Sequence, residues 1–233
     1  MARILIAGVY MADRPNTAMH LVHELQASAQ HDVVQRWAAL APGGNGRCDV
    51  PTTELVVTER TPKFSMLNQL VKDAHNFDWV LFCDDDVELG DGFLDRFLHL
   101  AQAYDFALAQ PARTTDSYTD HPIVQVMPGL VARRTRFVEI GPLIIIRRDA
   151  MPSLLPFPDD SGMGWGLDLV WPRQLEPLGL RLGIVDATPI AHRLRPPAAA
   201  YDGAEARLKM SWTLASHDCL SLDDAFTVLE AYA

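Results

Sequence analysis

The chain has 233 residues, 48% of them hydrophobic, and a formal net charge of −10 at pH 7. This length allows one large domain or two small ones around a substantial core. The acidic balance argues against broad binding to nucleic acids or to anionic membranes. The apolar N-terminus is too short to span a membrane and lacks the regions of a signal peptide. The cysteines Cys48, Cys83 and Cys219 match no zinc-binding spacing and indicate reduced thiols in a cytoplasmic compartment.

The first half of the chain alternates between strand and helix patterns. Apolar runs predict strands at residues 3–9, 33–40, 55–58 and 79–83. Helices are predicted from residue 16 or 17 to about 29 and again from residue 63, with Thr61 as N-cap and Pro62 in the first turn. This order indicates an α/β fold with a mainly parallel central sheet.

Three consecutive carboxylates, Asp84, Asp85 and Asp86, come directly after the buried strand pattern at 79–83. Adjacent like charges repel, and a divalent cation would hold them together at low cost. The carboxyl end of a strand is also where open α/β sheets bind ligands. A solvated acidic loop is the alternative interpretation. A helix is expected to follow, with Asp91 as its N-cap.

The second half is less regular. Strands are predicted at residues 106–110, 123–127, 137–140, 143–147 and 181–185, with a polar loop at 112–121. The proline-containing segment 193–200 is interpreted as a lid or connector. Two helices are expected to close the chain, the second with Ser221 as its N-cap.

A glycine-rich segment leads to Trp165 and Asp168. Glycines allow the backbone to approach a bound ring closely, and Trp165 offers an apolar face on which a sugar can stack. Asp168 falls in the first turn of a predicted helix. There it serves either the chemistry of a site or only the favourable interaction with the helix dipole.

In order along the chain, these residues resemble the nucleotide-sugar glycosyltransferases of the glycosyltransferase-A fold, particularly family 2 and the related DUF707-type proteins. The matching elements are Lys63 and Asn68 on one helix, the strand that ends in Asp84-Asp85-Asp86, Gly141 to Arg147, Trp165-Gly166-Leu167-Asp168, and the strand from Gly179 to His192. A D-x-D motif alone is weak evidence, whereas the ordered series is more specific. The sequence departs from the family at Leu167, where many members carry glutamate, and in lacking an acidic dipeptide after the second strand.

The resemblance implies a single domain over residues 1–233, with a small antiparallel portion near the acceptor side of its sheet. Residues 1–110 would form the nucleotide-binding half and residues 111–195 the acceptor and metal half. Residues 196–233 would supply a C-terminal lid and helices.

The resemblance also implies metal-dependent transfer of a sugar from a nucleoside diphosphate sugar to a hydroxyl acceptor. Mn²⁺ or Mg²⁺ would be bound by Asp84, Asp86 and His192, and an imidazole ligand favours Mn²⁺. Asp168 would be the catalytic base of an inverting reaction, and Trp165 and Gly166 would shape the sugar or acceptor pocket. The residues expected to bind the nucleotide are Gly8, Tyr10, Lys63, Asn68, Asp84, Asp85, Arg193 and Arg195.

Two alternatives remain at this stage. A sugar-phosphate nucleotidyltransferase shares the sheet and the acidic motif, but it has a glycine-rich phosphate loop after the first strand, where this chain has only Gly8. A nucleotide-sugar-binding protein without catalytic activity would fit the departure at Leu167.

Overall fold

A computed structural model describes residues 1–196 and 202–233. Residues 197–200 of the predicted lid lie outside the described residues. The strands are β1 (Arg3–Met11), β2 (Asp32–Leu40), β3 (Thr53–Val57), β4 (Trp79–Asp84), β5 (Val87–Glu88), β6 (Phe106–Arg113), β7 (Ala132–Thr135), β8 (Leu143–Arg147), β9 (Arg181–His192) and β10 (Val228–Tyr232). The α-helices are α1 (Ala18–Gln26), α2 (Lys63–Leu70), α3 (Phe93–Ala103), α4 (Met151–Leu154), α5 (Leu167–Leu175), α6 (Gly203–Ser216) and α7 (Leu222–Ala225). None of the helices in these ranges combines the length and apolar character that crossing a membrane requires.

The strands form one mixed sheet in the order β10-β7-β9-β6-β8-β4-β1-β2-β3, and β5 pairs with β9 beside it. β3, β2, β1 and β4 are parallel neighbours, whereas β8 runs antiparallel between β4 and β6. β9 is parallel to β6. The α/β prediction is therefore confirmed. The carboxyl ends of β1, β4, β6 and β9 all meet at one edge of the sheet, together with the amino end of β8.

Helices cover both faces of the sheet because neighbouring positions of a strand point to opposite sides. On β1, Ile4 and Ile6 join the cluster that contains α1 and α3. Leu5 and Ala7 join the cluster beneath α2, α4 and α5. The sheet is thus the rigid platform on which the edge residues stand.

Two helix caps differ from the prediction. Pro62, not Thr61, is the N-cap of α2, and the Thr61 hydroxyl donates instead to the carbonyl of Glu59. Gly92, not Asp91, is the N-cap of α3. Its φ of 66° lies in the left-handed region, where glycine is at least cost.

Several predicted elements of the second half are also wrong. The segment 123–127 begins as a short 3₁₀ turn, Pro122–Val124, and 137–140 is not a strand; the strand lies earlier, at β7. Phe137 instead packs in a separate hydrophobic cluster with residues of α5 and α7, so its segment does not pair with a strand of the sheet. β9 continues past Val185 to His192. Ser221 caps α7 as predicted, but the chain closes with β10, whose register on β7 no local pattern indicates.

Candidate functional site

A cavity of about 420 Å³ lies at the edge where these strand ends meet. This volume falls within the range of small-molecule sites. Seven residues singled out from the sequence contribute to its wall: Lys63, Asp84, Asp85, Asp86, Trp165, His192 and Arg195. The fold therefore brings together residues from β4, the start of α2, the approach to α5 and the end of β9.

Asp84, the last residue of β4, is paired with Lys63, the first residue of α2. The Lys63 Nζ lies 2.7 Å from Oδ1 and 2.9 Å from Oδ2 of Asp84. The backbone passes close to this pair at Gly141. A Cβ added there would lie 3.1 Å from Asp84 Oδ2 and 3.2 Å from Lys63 Nζ, so a side chain at residue 141 would crowd the pair.

Asp85 is almost fully buried, with 4% of its surface exposed. Its carboxylate accepts a 2.7 Å hydrogen bond from the backbone N–H of Met11 and contacts the guanidinium of Arg195. Burial raises the pKa of Asp85 to about 6, although the charge of Arg195 and the Met11 hydrogen bond act in the opposite direction. Asp85 thus links β1 to the segment that follows β9.

Asp86 and His192 face each other, with 3.4 Å between Asp86 Oδ2 and His192 Nε2. Burial alone would raise the pKa of Asp86, but the hydrogen bond and charge of His192, together with Arg195, hold that pKa below its usual range. Asp86 Oδ1 and His192 Nδ1 are both buried, and neither has a hydrogen-bond partner among the described residues. These two atoms therefore retain unused capacity to bind a ligand.

Arg195 pairs with two of the three carboxylates, Asp85 and Asp86. Its guanidinium contacts Asp85 and lies 3.2 Å from Asp86 Oδ2, and it also donates to the carbonyl of Pro15 at 3.1 Å. Lys63 pairs with the third carboxylate, Asp84. Each member of the acidic triad, Asp84, Asp85 and Asp86, is therefore in contact with a basic side chain of the protein itself. Within residues 1–196 and 202–233, no group of three or more His, Cys, Asp or Glu side chains is arranged to hold a metal ion.

Four of the residues predicted to bind the nucleotide lie away from the cavity. A Cβ on Gly8 would lie 2.3–2.7 Å from the ring of Trp37, so this glycine makes room for a core tryptophan. Tyr10 is 1% exposed, and its hydroxyl is 2.8 Å from that of Thr53. The remaining two are Asn68, whose amide makes both of its hydrogen bonds with the backbone of Phe157, and Arg193, which pairs with Glu88 and Asp116 at the surface.

Asp168 is buried in the first turn of α5 and does not form part of the cavity wall. Burial raises its pKa to about 7, although hydrogen bonds from the backbone of Leu169, Asp168 and Gly166 oppose the shift. Gly166, the N-cap of α5 with φ 95°, packs against Met210 and Leu214 of α6 rather than against the cavity.

Sequence reasoning missed several polar residues of the cavity wall, among them Arg113, Asp120 and Glu139. A signal for Arg113 was present, because it directly follows a largely apolar strand pattern and strand ends gather at the ligand-binding edge. Glu139 lies in an irregular segment, so no local pattern marks it.

The sequence matches no protein-family model and no curated protein. Among solved structures, GalNAc-T7 with UDP, GalNAc and Mn²⁺ superposes with a TM-score of 0.60 at 12% identity, over 88% of this chain and 47% of that one. Residues 1–349 of S. aureus TarS in complex with UDP-GlcNAc superpose with a TM-score of 0.62 at 13% identity, over 96% of this chain and 69% of that one. The chain thus spans about half the length of GalNAc-T7. At these identities the likeness establishes the fold, which is of the glycosyltransferase-A type.

Proposed function

We propose that the protein transfers a sugar from a nucleoside diphosphate sugar to a hydroxyl acceptor. The observation that carries this proposal is the convergence of Asp86 and His192, from distant parts of the chain, at one cavity on the strand-end edge. Structures of the same fold are recorded with UDP and with UDP-GlcNAc, which supports a nucleotide-sugar as the ligand of this cavity.

A divalent cation is part of the proposal. Asp86 and His192 face each other, with 3.4 Å between Oδ2 and Nε2, and the buried Asp86 Oδ1 has no partner among the described residues, so these two side chains would be the protein ligands of the cation. Mn²⁺ suits a carboxylate and an imidazole better than Mg²⁺ does, and oxygens of the diphosphate would supply further ligands. Asp84 is a further candidate ligand, although Lys63 contacts both of its oxygens. Such a cation, when bound, stabilises the charge that grows on the leaving diphosphate.

The basic side chains at the cavity are assigned to the phosphates. Lys63 and Arg195 lie on its wall, and both point at the acidic triad. Arg193, which is exposed and outside the cavity wall two residues before Arg195, would contact the outer side of the diphosphate. Trp165 would pack its apolar face against the sugar. Together these residues would hold the donor with its diphosphate at the acidic triad.

In the transfer step, the acceptor oxygen bonds to the anomeric carbon as the bond from that carbon to the diphosphate breaks. The acceptor proton passes to a carboxylate, for which we propose Asp168, and this makes the reaction inverting. A pKa of about 7 suits a group that accepts a proton near neutrality. Asp168 is not part of the cavity wall, so the decisive test is the Asp168→Asn variant, which should bind the donor normally and lose transfer. Equal loss of binding and transfer would contradict its role as the base.

The test is release of nucleoside diphosphate from UDP- and GDP-sugars in the presence of Mn²⁺. Asp86→Asn should abolish both turnover and Mn²⁺-dependent nucleotide binding. Asp91→Asn, at an exposed carboxylate outside the cavity, is the matched control and should behave as wild type. Wild-type protein that binds no nucleotide with or without Mn²⁺ would overturn the proposal.

A second candidate is a nucleotide-sugar-binding protein that lacks catalysis. The observation in its favour is Leu167, which is 2% exposed and packs into the core beneath α2, α4 and α5. The position therefore contributes an apolar contact where the resembled family often has a glutamate. Tight binding of a nucleotide-sugar without turnover, across a range of hydroxyl acceptors, would favour this function over transfer.

A further inference from the structure

Arg113 and Glu139 form a buried ion pair in the wall of the cavity and are not members of the acidic triad. Both residues line the cavity, and their side chains are only 4% and 9% exposed. The Arg113 guanidinium contacts the Glu139 carboxylate directly. Neither residue has a role in the function proposed above.

The surrounding backbone holds this pair in place. Arg113 donates to the carbonyl of Tyr118 at 3.0 Å and to that of Gly141 at 2.9 Å. The backbone N–H of Glu139 donates to the side-chain oxygen of Gln110. The Nε of Arg113 is buried and has no hydrogen-bond partner among the described residues. The pair is thus braced on the protein side and keeps one donor unused.

The sheet places this pair beside the acidic triad. Arg113 on β6 pairs with Ile190 on β9. Ile190 is two residues before His192. Glu139 is two residues before Gly141, where the backbone comes close to Asp84 and Lys63. The pair therefore lies at the same edge of the sheet as the acidic triad and lines the same cavity.

Burying an ion pair is costly, and an apolar pair of similar volume would usually serve stability as well or better. Burial disfavours the charged form of Glu139 and so raises its pKa, while the guanidinium of Arg113 acts in the opposite direction by stabilising the carboxylate. A costly polar pair on a cavity wall is better explained by a ligand than by packing. Sugar hydroxyl groups suit it, because each can donate to the carboxylate and accept from the guanidinium.

We propose that Arg113 and Glu139 form a subsite that binds hydroxyl groups of the donor sugar, while the diphosphate occupies the acidic side of the cavity. This inference rests on the proposed function and names the part of the site that distinguishes a nucleotide-sugar from a free nucleotide. Glu139 is the residue on which the distinction depends.

The experiment compares the affinities of UDP, UDP-GlcNAc and UDP-GalNAc, and of GDP and GDP-mannose, by calorimetry with Mn²⁺ present. Glu139→Gln should weaken binding of the preferred sugar conjugate about ten-fold, since it removes a charge-assisted hydrogen bond, and leave the free nucleotide unchanged. Glu176→Gln is the matched control, because it breaks an Arg–Glu pair, with Arg136, outside the cavity. Glu139→Asp keeps the charge and shortens the side chain, and should show the same selective loss if Glu139→Gln does not fold.

Equal loss for nucleotide and conjugate would assign the pair a structural role and overturn the subsite. Unchanged affinity for both in a folded variant would overturn it as well. Wild-type protein that binds neither ligand would overturn the proposed function together with the subsite. If the wild type prefers the conjugate and Glu139→Gln keeps that preference, only the subsite fails.

Discussion

The ammonium group of Lys63 sits between the two carboxylate oxygens of Asp84, at 2.7 Å and 2.9 Å. This contact joins the first residue of α2 to the last residue of β4, at the carboxyl-end edge of the sheet. The helix dipole disfavours a cation at the start of a helix, and the first turn of α2 has no acidic residue. The negative charge of Asp84 offsets this unfavourable interaction. The same ammonium lies on the cavity wall, where a phosphate would compete for it.

Replacing Lys63 with Met should weaken UDP binding about ten-fold, because it removes a charge-assisted hydrogen bond donor and leaves the Asp84 carboxylate facing the diphosphate. Calorimetric titration with UDP measures the effect. Lys72→Met, at an exposed lysine outside the cavity, is the control and should bind UDP as wild type does. Unchanged affinity in the Lys63 variant would remove this residue from the site.

In a buffer that contains a metal chelator, replacing Arg195 with Met should lower the free energy of unfolding by about 3 kcal/mol. The reason is that Asp85 and Asp86, which are largely buried, lose the basic side chain that they share. Mn²⁺ should restore stability more in this variant than in wild type, since a cation can replace the lost guanidinium. Urea denaturation with and without Mn²⁺ provides the measurement.

Arg193→Met is the control for that experiment, since Arg193 pairs with Glu88 and Asp116 at the exposed surface. It should remain close to wild type in both buffers. Equal stabilisation of the Arg195 variant and wild type by Mn²⁺ would show that the cation does not take the place of the lost guanidinium.

Gly8→Ala should destabilise the protein by about 1–3 kcal/mol, because the added methyl overlaps the ring of Trp37 in the core. The affinity for UDP should stay at the wild-type value. Gly90→Ala is the matched control, as its Cβ would meet nothing within 4 Å. If the variant instead lost affinity for UDP and kept its stability, Gly8 would be part of the nucleotide site as the sequence predicted.

Asp168→Asn should make stability less dependent on pH. The pKa of Asp168 is about 7 in the folded protein against an ordinary 3.8, so between these values the folded state holds a proton that the unfolded chain has lost. This stabilisation is complete below the unfolded pKa and disappears as pH rises through the folded pKa.

The variant should therefore gain stability over wild type at about pH 8 and match it at about pH 4. Denaturation curves across this range measure the difference. Some pH dependence should remain, because burial raises the pKa of Glu139 as well. Parallel curves for variant and wild type would contradict the assignment of this titration to Asp168.

Much of the first half of the fold follows from local pattern. β1, β2 and β4 are apolar runs whose lengths and order predict a parallel sheet, and the structure places them as neighbours. The second half is less predictable because its strands pair with distant partners. β9 continues through Thr188 and Pro189 because it pairs with β6 and β5. These strands are far from β9 in sequence, so local patterns do not predict the pairing.

Local sequence patterns predicted the order of strands and helices in the first half of the chain and the position of three carboxylates at a strand end. The resemblance to a known fold pointed to His192. Periodicity and residue chemistry are local properties, so they survive without coordinates. Which polar groups share a cavity depends on the tertiary structure, which places His192 opposite Asp86 and Arg113 in contact with Glu139. It also packs Gly8 against the ring of Trp37 in the core. Such contacts depend on strand register and on burial, which are set by the whole chain at once.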